Sequence, residues 1–233
     1  MAKEENEQKW PDNIVLIRHG QTTINAERER LKQMKSKKLI IDIPIRDMDI
    51  SLSKEGIKQV EASAEQLKKM PKFDAVFISP YLRCKQTAEI ILKKLNYKPL
   101  IIEEERIREK DFGSLDKLTD AGIKHFYPRE YERREREKKY YYRAPGGENH
   151  PDVALRVHSL IGTLVRDYSK KNILIVSHLV VVLIFRRLIE RMSEEQVLEL
   201  DKKDKLKNAS ITHFAYNQEK NRLLLKGYNK VYY

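Results

Sequence analysis

Residues 13–20, Asn-Ile-Val-Leu-Ile-Arg-His-Gly, contain the pattern on which the fold depends. The apolar run over residues 14–17 is short and bounded by polar residues and glycine, which predicts a strand buried on both faces. Such a strand delivers Arg18, His19 and Gly20 at its carboxyl end. Strands buried on both faces occur in parallel sheets that are covered by helices. The stretch therefore predicts an α/β sheet with polar groups at one edge.

The same arrangement recurs twice along the chain. A strand predicted over residues 75–78 ends in Ser79, and one predicted over residues 173–176 is followed by His178. Parallel strands bring their carboxyl ends to one edge of the sheet, where ligands of open α/β sheets bind. We therefore expect polar groups from three strands to meet at one place.

Helical periodicity fills most of the sequence between the strands. Ser53 is the predicted N-cap of a helix that ends before Pro71. Apolar helical repeats cover residues 57–67, 88–95, 153–164 and 179–191, and further strands are predicted over 100–102, 210–216 and 222–228. Residues 26–50 are charged and irregular, so no helix is predicted there. The alternation predicts a three-layer α/β/α sandwich with a mostly parallel central sheet.

The length suits one domain over residues 1–233, with one interruption. Between about residues 104 and 150 the alternation of strands and helices breaks. This segment contains a highly charged stretch at 130–139, three tyrosines at 140–142 and a Pro-Gly-Gly sequence at 145–147. We expect it to form an inserted cap over the edge of the sheet.

Composition limits the class of protein. Hydrophobic residues make up 40% and charged residues 35%, which indicates a soluble globular protein. The N-terminus is polar, the longest apolar run (179–185) is too short to span a bilayer, and Cys84 is the single cysteine. We therefore expect a cytoplasmic protein with no membrane partner and no intrachain disulfide.

The formal net charge of +12 has three interpretations. Basic residues can simply dominate the solvated surface, form a face that binds nucleic acid, or line a cleft that attracts a phosphorylated substrate. The sequence has no zinc-finger spacing and no Gly/aromatic RNA-binding signature. Nucleic acid is therefore not the favoured partner.

Two histidines and two arginines at one edge suit phosphoryl chemistry. The neutral imidazoles of His19 and His178 are competent nucleophiles near neutral pH. Arg18 and Arg83 present planar sets of donors that match phosphate oxygens, and a cationic array can stabilise developing charge without a metal. The sequence has no Gly-rich phosphate loop ending in Lys-Ser or Lys-Thr and no dense aspartate cluster for magnesium. We therefore expect neither a metal nor another cofactor.

Four ordered motifs resemble those of the histidine phosphatase superfamily, which includes phosphoglycerate mutases. They are Arg18-His19-Gly20, residues 79–88, residues 108–113, and Val176-Ser177-His178. Residues 141–157, with Tyr-Tyr-Arg followed by Pro-Gly-Gly-Glu, are similar to a plant and microbial subgroup of phosphoglycerate mutase-like proteins. The resemblance extends over most of the chain and implies hydrolysis of a phosphomonoester on a small phosphorylated metabolite.

The resemblance also implies a role for each matched residue. His19 is expected to be the nucleophile that forms a phosphohistidine. Glu109 is expected to protonate the leaving oxygen and then to activate water, a role helped by a pKa raised by burial. The residues expected to hold the phosphoryl group are Arg18, Arg83 and His178, with Asn25 assisting, and His178 also belongs to the expected catalytic set.

Two positions depart from the family pattern and leave other functions open. Leu179 stands where glycine is usual after the second histidine, and Leu183 where an arginine is common. A weakly active protein that binds a phospho-ligand or nucleic acid is one alternative. Phosphoglycerate mutase-type transfer is another, but the mutase loop pattern with Gly and Trp after Asn25 is missing. We expect His150 to have a surface or packing role and Cys84 to be a buried, inert thiol.

Overall fold

The computed structural model describes residues 8–233, and this part of the chain contains six strands and eight α-helices. The strands are β1 (Asn13–Arg18), β2 (Ala75–Ile78), β3 (Leu100–Glu103), β4 (Asn172–Ser177), β5 (Ile211–Asn217) and β6 (Arg222–Lys230). The helices are α1 (Thr23–Gln33), α2 (Lys54–Leu67), α3 (Leu82–Leu95), α4 (Asp120–Phe126), α5 (Pro128–Tyr141), α6 (His150–Asp167), α7 (Leu179–Glu190) and α8 (Glu194–Lys203).

The strands form one sheet in the order β3-β2-β4-β1-β5-β6. Strands β3, β2, β4 and β1 pair in parallel, whereas β5 is antiparallel to both β1 and β6. The expected mostly parallel sheet is therefore confirmed. Because β1, β4 and β2 are neighbours, their carboxyl ends lie side by side.

Two hydrophobic cores cover the sheet. Ile14 and Leu16 of β1 pack with α6 and α7 on one face, and Val15 and Ile17 pack with α2 and α3 on the other. Successive residues of a strand point to opposite faces, so a strand covered on both sides must be apolar throughout. This explains the uninterrupted apolar run and confirms the three-layer α/β/α sandwich.

Helix α1 corrects the prediction that residues 26–50 contain no helix. The Thr22 hydroxyl accepts the Asn25 N–H, and the Asn25 side-chain oxygen accepts the Thr22 N–H, which is a capping box. Its two buried residues are Ile24 and Leu31. The apolar stripe is therefore too sparse to be recognised as a helix from the sequence, and the cap and packing on residues 41–50 stabilise it instead.

The segment that precedes α6 contains two short 3-10 turns, which are followed by the α-helices α4 and α5. It has a small hydrophobic core of its own, made by Leu115, Ile123, Tyr142 and Ala144. A Cβ at Gly122 would lie 2.0 Å from the Leu39 oxygen, so this glycine permits α4 to approach the loop after α1. The division of one domain into a body and a cap at about 104–150 stays a prediction.

The most apolar helix of the sequence, α7, lies inside the protein. Residues 180–186 are buried between the sheet, α6 and α8. Within residues 8–233, none of the helices combines the length and apolarity that crossing a bilayer requires. The cytoplasmic location stays a prediction.

Candidate active site

The three parallel strands β1, β4 and β2 bring the predicted polar groups together at their carboxyl ends. The ring centroids of His19 and His178 are 5.2 Å apart, in an edge-to-face arrangement. The Ser79 hydroxyl lies 2.7 Å from Nε2 of His178. Sequence motifs separated by up to about 160 residues therefore meet at one edge of the sheet, as the strand pattern predicts.

A cavity of about 720 Å³ opens above this edge. Five of the six predicted site residues line it, namely Arg18, His19, Asn25, Arg83 and Glu109. The sixth, His178, is completely buried behind His19 and does not line the cavity. The volume lies within the range usual for small-molecule sites.

His19 is held as a neutral imidazole with one nitrogen free to react. It is 4% exposed, and Nδ1 lies 2.8 Å from the Gly20 carbonyl oxygen. A carbonyl can only accept, so Nδ1 carries the proton and Nε2 keeps its lone pair. Burial, followed by the charges of Arg83 and Arg18, lowers the pKa of His19 well below its usual value. The ring is therefore neutral at neutral pH, with its single proton on Nδ1.

Arg18 has unsatisfied hydrogen-bonding capacity. Its Nη1 donates to the Leu206 carbonyl, 2.6 Å away, but Nε is buried and has no hydrogen-bond partner within the described chain. Burial lowers the pKa of Arg18, yet an arginine remains charged in proteins. A charged guanidinium that lines a cavity is suited to an anion.

Arg83 already holds an anion. The guanidinium is 4% exposed, lies over the Tyr81 ring and places Nη2 3.0 Å from a carboxylate oxygen of Asp47. Nη1 donates to the Asp47 backbone oxygen as well. Sequence reasoning missed Asp47, since it lies in the irregular stretch after α1 and no local pattern connects it with α3.

The carboxyl group of Glu109 lies in the same cavity. One oxygen accepts the Lys110 backbone N–H at 2.9 Å. Burial raises the pKa of Glu109, while the positive charges of Arg83 and Arg18 oppose the rise. A carboxyl group with a raised pKa retains a protonated fraction at higher pH, which suits a proton donor.

His178 and Cys84 lie together beneath the site. The Cys84 sulfur is 3.5 Å from Nε2 of His178. Burial, followed by the charge of Arg83, lowers the pKa of His178 well below its usual value. Burial raises the pKa of Cys84 to about 12, so the thiol stays protonated.

Asn25 lines the cavity and also caps α1. Its side-chain oxygen accepts the Thr22 N–H at 3.2 Å and a 3.3 Å hydrogen bond from the Asn208 side chain. The oxygen is therefore fixed by the protein. Of the predicted site residues, Asn25 is the one whose position depends on a helix that the sequence did not reveal.

The family model that matches this chain describes the histidine phosphatase superfamily (branch 1), and it covers residues 14–229. The chain belongs to this superfamily. The resemblance to the superfamily and to phosphoglycerate mutase-like proteins is thereby confirmed.

Its relatives within the histidine phosphatase superfamily have several different names. Fructose-2,6-bisphosphatase of Saccharomyces cerevisiae is 31% identical over 72% of this chain and 32% of its own length. Phosphoglycerate mutase-like protein AT74H of Arabidopsis thaliana is 28% identical over 74% of this chain and 64% of its own length. A metal-independent phosphoserine phosphatase of Arabidopsis thaliana is 27% identical, over 75% and 71%. The chain thus spans about a third of the first relative and just under two thirds of the second.

Solved structures of other proteins share the fold. Bacillus stearothermophilus YhfR superposes with a TM-score of 0.74 at 20% identity, covering 94% of this chain and 97% of its own. A mycobacterial glucosyl-3-phosphoglycerate phosphatase superposes with a TM-score of 0.69 at 23% identity, covering 94% of this chain and 99% of its own. The expected fold class is confirmed.

The two departures from the superfamily pattern have different surroundings. Leu179 lines the cavity next to the strand ends, whereas Leu183 is buried inside the protein at 1% exposure. Leu183 therefore contributes to the core, and Leu179 gives the cavity an apolar wall.

His150 is packed in the interior and also lines the cavity. It is 2% exposed and stacks on Tyr140, and its Nδ1 has no partner within the described chain. The sequence offers no signal for this, because the position of His150 depends on how the segment before α6 folds. Within residues 8–233, no group of three or more His, Cys, Asp or Glu side chains could hold a metal ion.

Proposed function

We propose that the protein is a phosphohydrolase that cleaves a phosphomonoester of a small metabolite through a phosphohistidine on His19. The observation that carries the proposal is the state of His19, which is neutral, buried and hydrogen-bonded through Nδ1, so that Nε2 is the nucleophilic atom. Relatives named as phosphatases for fructose 2,6-bisphosphate and phosphoserine support a small phosphorylated substrate.

In the first step, Nε2 of His19 attacks phosphorus and the bond to the leaving oxygen breaks. Arg18, which lines the cavity, and Arg83, once released by Asp47, stabilise the charge on the phosphoryl oxygens. Glu109 in its protonated form gives its proton to the leaving alcohol. The products of this step are the alcohol, a phosphohistidine and the Glu109 carboxylate.

In the second step, water attacks the phosphorus of the phosphohistidine. The Glu109 carboxylate takes a proton from that water as the P–N bond breaks, and His19 returns to its neutral state with inorganic phosphate released. The same cations stabilise both transition states, so one pocket serves both displacements. Because Glu109 comes from the segment at about 104–150, we propose that this cap supplies the acid of a single-domain enzyme.

His178 takes part in this scheme from behind His19. Its ring contacts His19 edge-on, and the Ser79 hydroxyl holds its Nε2. We assign it the positioning of His19, with direct contact to a phosphoryl oxygen only if the bond to Ser79 opens. Asn25 is assigned to the phosphate pocket, together with Arg18 and Arg83.

The experiment that tests the proposal is capture of the adduct. The protein is mixed with a ³²P-labelled phosphomonoester, and the reaction is quenched rapidly without acid because the P–N bond is acid-labile. The labelled residue is then located by peptide mapping. Label on His19 is expected, and His19→Ala should lose both label and turnover. His158→Ala, at an exposed position, is the matched control.

Stereochemistry gives an independent check, because two in-line displacements retain the configuration of a chiral phosphorus. Inversion without an adduct would overturn the proposal. Label that appears on a second metabolite instead of in inorganic phosphate would establish mutase-type transfer. Turnover should also survive exhaustive chelation, and a loss that magnesium restores would contradict the metal-independent mechanism.

A further inference from the structure

The loop between α8 and β5, at residues 204–210, holds the strand end that carries the nucleophile. The Leu206 carbonyl accepts a hydrogen bond from Nη1 of Arg18 at 2.6 Å. The Ala209 backbone N–H donates to the His19 carbonyl oxygen at 3.1 Å. None of the side chains of this loop has a role in the two displacement steps.

The side chain of Asn208 comes from this loop and makes two hydrogen bonds. It is 9% exposed, and its Nδ2 donates to the His19 carbonyl oxygen at 3.1 Å and to Oδ1 of Asn25 at 3.3 Å. A primary amide nitrogen has two hydrogens, so these two bonds use its full donor capacity. Asn208 thus connects the backbone of the nucleophile with the side chain of a predicted phosphate-binding residue.

The orientation of both amides follows from their neighbours. The Thr22 backbone N–H can only donate, so the atom of Asn25 that faces it at 3.2 Å is the side-chain oxygen. The atom of Asn208 that lies between this oxygen and the His19 carbonyl is then the nitrogen, because both neighbours are acceptors. Each amide in this chain of contacts therefore has one defined orientation.

This orientation decides which end of the Asn25 side chain is left for a ligand. Two donors satisfy the oxygen, so the nitrogen, with its two hydrogens, is the end that remains for a ligand in the cavity. A dianionic phosphoryl group has only acceptor oxygens and binds donors of the protein. If the Asn25 amide turned over, its oxygen would face the phosphoryl group and repel it.

Neither hydrogen bond to the Asn25 oxygen is short. The bonds from Thr22 and Asn208 measure 3.2 and 3.3 Å, longer than the usual value of about 2.9–3.0 Å for N–H donors to oxygen. Each bond alone is therefore weak, and the orientation of the amide depends on both.

We propose that Asn208 is a positioning residue that keeps the amide nitrogen of Asn25 turned towards the phosphoryl group. The inference rests on the proposed function, which assigns Asn25 to the phosphate pocket. Asn208 acts through Asn25 and needs no contact of its own with the reacting atoms. Because the Ala209 N–H also binds the His19 carbonyl, the nucleophile keeps this anchor when Asn208 is replaced.

A double-mutant cycle tests whether Asn208 acts through Asn25. The kcat/KM for p-nitrophenyl phosphate and the Kd of inorganic phosphate are measured for the wild type, Asn25→Ala, Asn208→Ala and the double variant. Asn25→Ala should lower kcat/KM by roughly 10- to 100-fold, the size of a hydrogen bond to a charged group. Asn208→Ala should lower it by about 2- to 10-fold in the wild type, the size of one neutral hydrogen bond, and should have no further effect in Asn25→Ala.

Asn229→Gly is the matched control, because Asn229 holds the same loop and contacts none of the predicted site residues. Its side chain accepts the Lys207 N–H and donates to the Lys205 carbonyl oxygen, and glycine suits its φ of 52°. Its effect on kcat/KM should multiply with that of Asn25→Ala. Equal coupling of Asn25 with Asn229 and with Asn208 would overturn the inference, since the whole loop would then position Asn25.

Side-chain amide spectra of the ¹⁵N-labelled protein give a readout that does not depend on turnover. The Nδ2 resonances of Asn25, assigned by their loss in Asn25→Ala, should shift when inorganic phosphate is added to the wild type and shift far less in Asn208→Ala. Asn208→Asp keeps the size of the side chain but removes its donors, so it should suppress the shift as well and serves if thermal melts show that Asn208→Ala is unfolded. Resonances that do not respond to phosphate in the wild type would overturn the inference.

The two measurements separate the inference from the proposed function. If the wild type hydrolyses p-nitrophenyl phosphate but the losses multiply and the Asn25 resonances still shift in Asn208→Ala, the inference is overturned and the proposed function stands. If the wild type hydrolyses no phosphomonoester yet the Kd values for phosphate show the coupling, the proposed function fails and the role of Asn208 stands.

Discussion

At the scale of single residues, the raised pKa of Glu109 links its burial to the choice of leaving group. Glu109→Gln should slow hydrolysis of alkyl phosphates by about 100- to 10,000-fold, because a poor leaving oxygen must be protonated as it departs. The nitrophenolate leaving group needs little protonation, so the hydrolysis of nitrophenyl phosphate should slow far less. Steady-state kcat values on both substrates give the comparison, and equal losses would remove Glu109 from the acid role.

The pH profile should show the same group. Since burial raises the pKa of Glu109, the protonated form persists above the usual range of a carboxyl group, and activity on alkyl phosphates should fall as the pH rises through that raised value. The lowered pKa of His19 keeps its attacking atom, Nε2, without a proton as the pH falls below neutral. Glu109→Gln should abolish the alkaline decline.

The contact between Asp47 and Arg83 predicts competition for the arginine. Asp47→Asn removes the carboxylate that Arg83 holds, so inorganic phosphate should inhibit at about fivefold lower concentration, the size of an ion pair worth ~1 kcal/mol. Asp49→Asn is the matched control, since that carboxylate binds Arg46 instead. A weaker inhibition in Asp47→Asn would show that Asp47 orients Arg83 rather than competing for it.

The sequence predicted some of these residues and missed others for a physical reason. His19 and Arg18 follow an apolar strand directly, and parallel pairing brings strand ends together, so local pattern was sufficient. Asp47 lies in a turn after α1 and His150 at the start of α6, so their positions at the cavity depend on long-range packing. The complete burial of His178 behind His19 is likewise a property of side-chain packing that no motif contains.

At the scale of elements, the start of α6 couples folding to pH. Burial, followed by the charges of Lys110 and Lys139, lowers the pKa of His150 to about 3, while Asp201 opposes the shift. Between about pH 6.5 and pH 3, His150 is therefore protonated in the unfolded chain but neutral in the folded chain. The free energy of unfolding decreases as the pH falls through this range. The cost is about 1.4 kcal/mol per pH unit in this range, on the order of 4 kcal/mol in total.

Urea denaturation between pH 7 and pH 4.5 measures this dependence. His19 and His178 also have lowered pKa values and act in the same direction, so the difference between the wild type and a variant isolates His150. His150→Gln should have a smaller loss of stability in acid, whereas His158→Gln should match the wild type. Identical slopes for all three proteins would contradict the burial of a neutral His150.

Element boundaries could be predicted where capping and apolar periodicity coincide. Ser53 accepts the Gly56 N–H at the start of α2, as expected, and Ser193 with Gln196 caps α8. Helix α1 has a capping box but a sparse apolar face, so the apolar periodicity that would indicate a helix is missing from its sequence. Helix α5 also has a sparse apolar face, because Tyr140 is its one buried residue among many charged ones.

At the scale of the whole molecule, alternation of strands and helices was enough to predict a layered parallel sheet. It was not enough to predict the strand order, in which β4 separates β2 from β1 although 93 residues lie between the end of β2 and the start of β4. Strand order depends on which faces pack together in three dimensions, and several orders satisfy the same alternation. The three-dimensional structure resolves that ambiguity.

The central place of β1 in the sheet has a consequence for synthesis on the ribosome. β1 emerges first, but both of its neighbours, β4 and β5, lie more than 150 residues later. At ~5 to 20 residues per second, an apolar strand remains without either partner for roughly eight to thirty seconds. A nascent chain arrested before β5 should therefore bind chaperones or aggregate, and a chain that includes β6 should not. Light scattering of released chains measures the difference. The position of His19 is therefore fixed only after β4 and β5 have been synthesised.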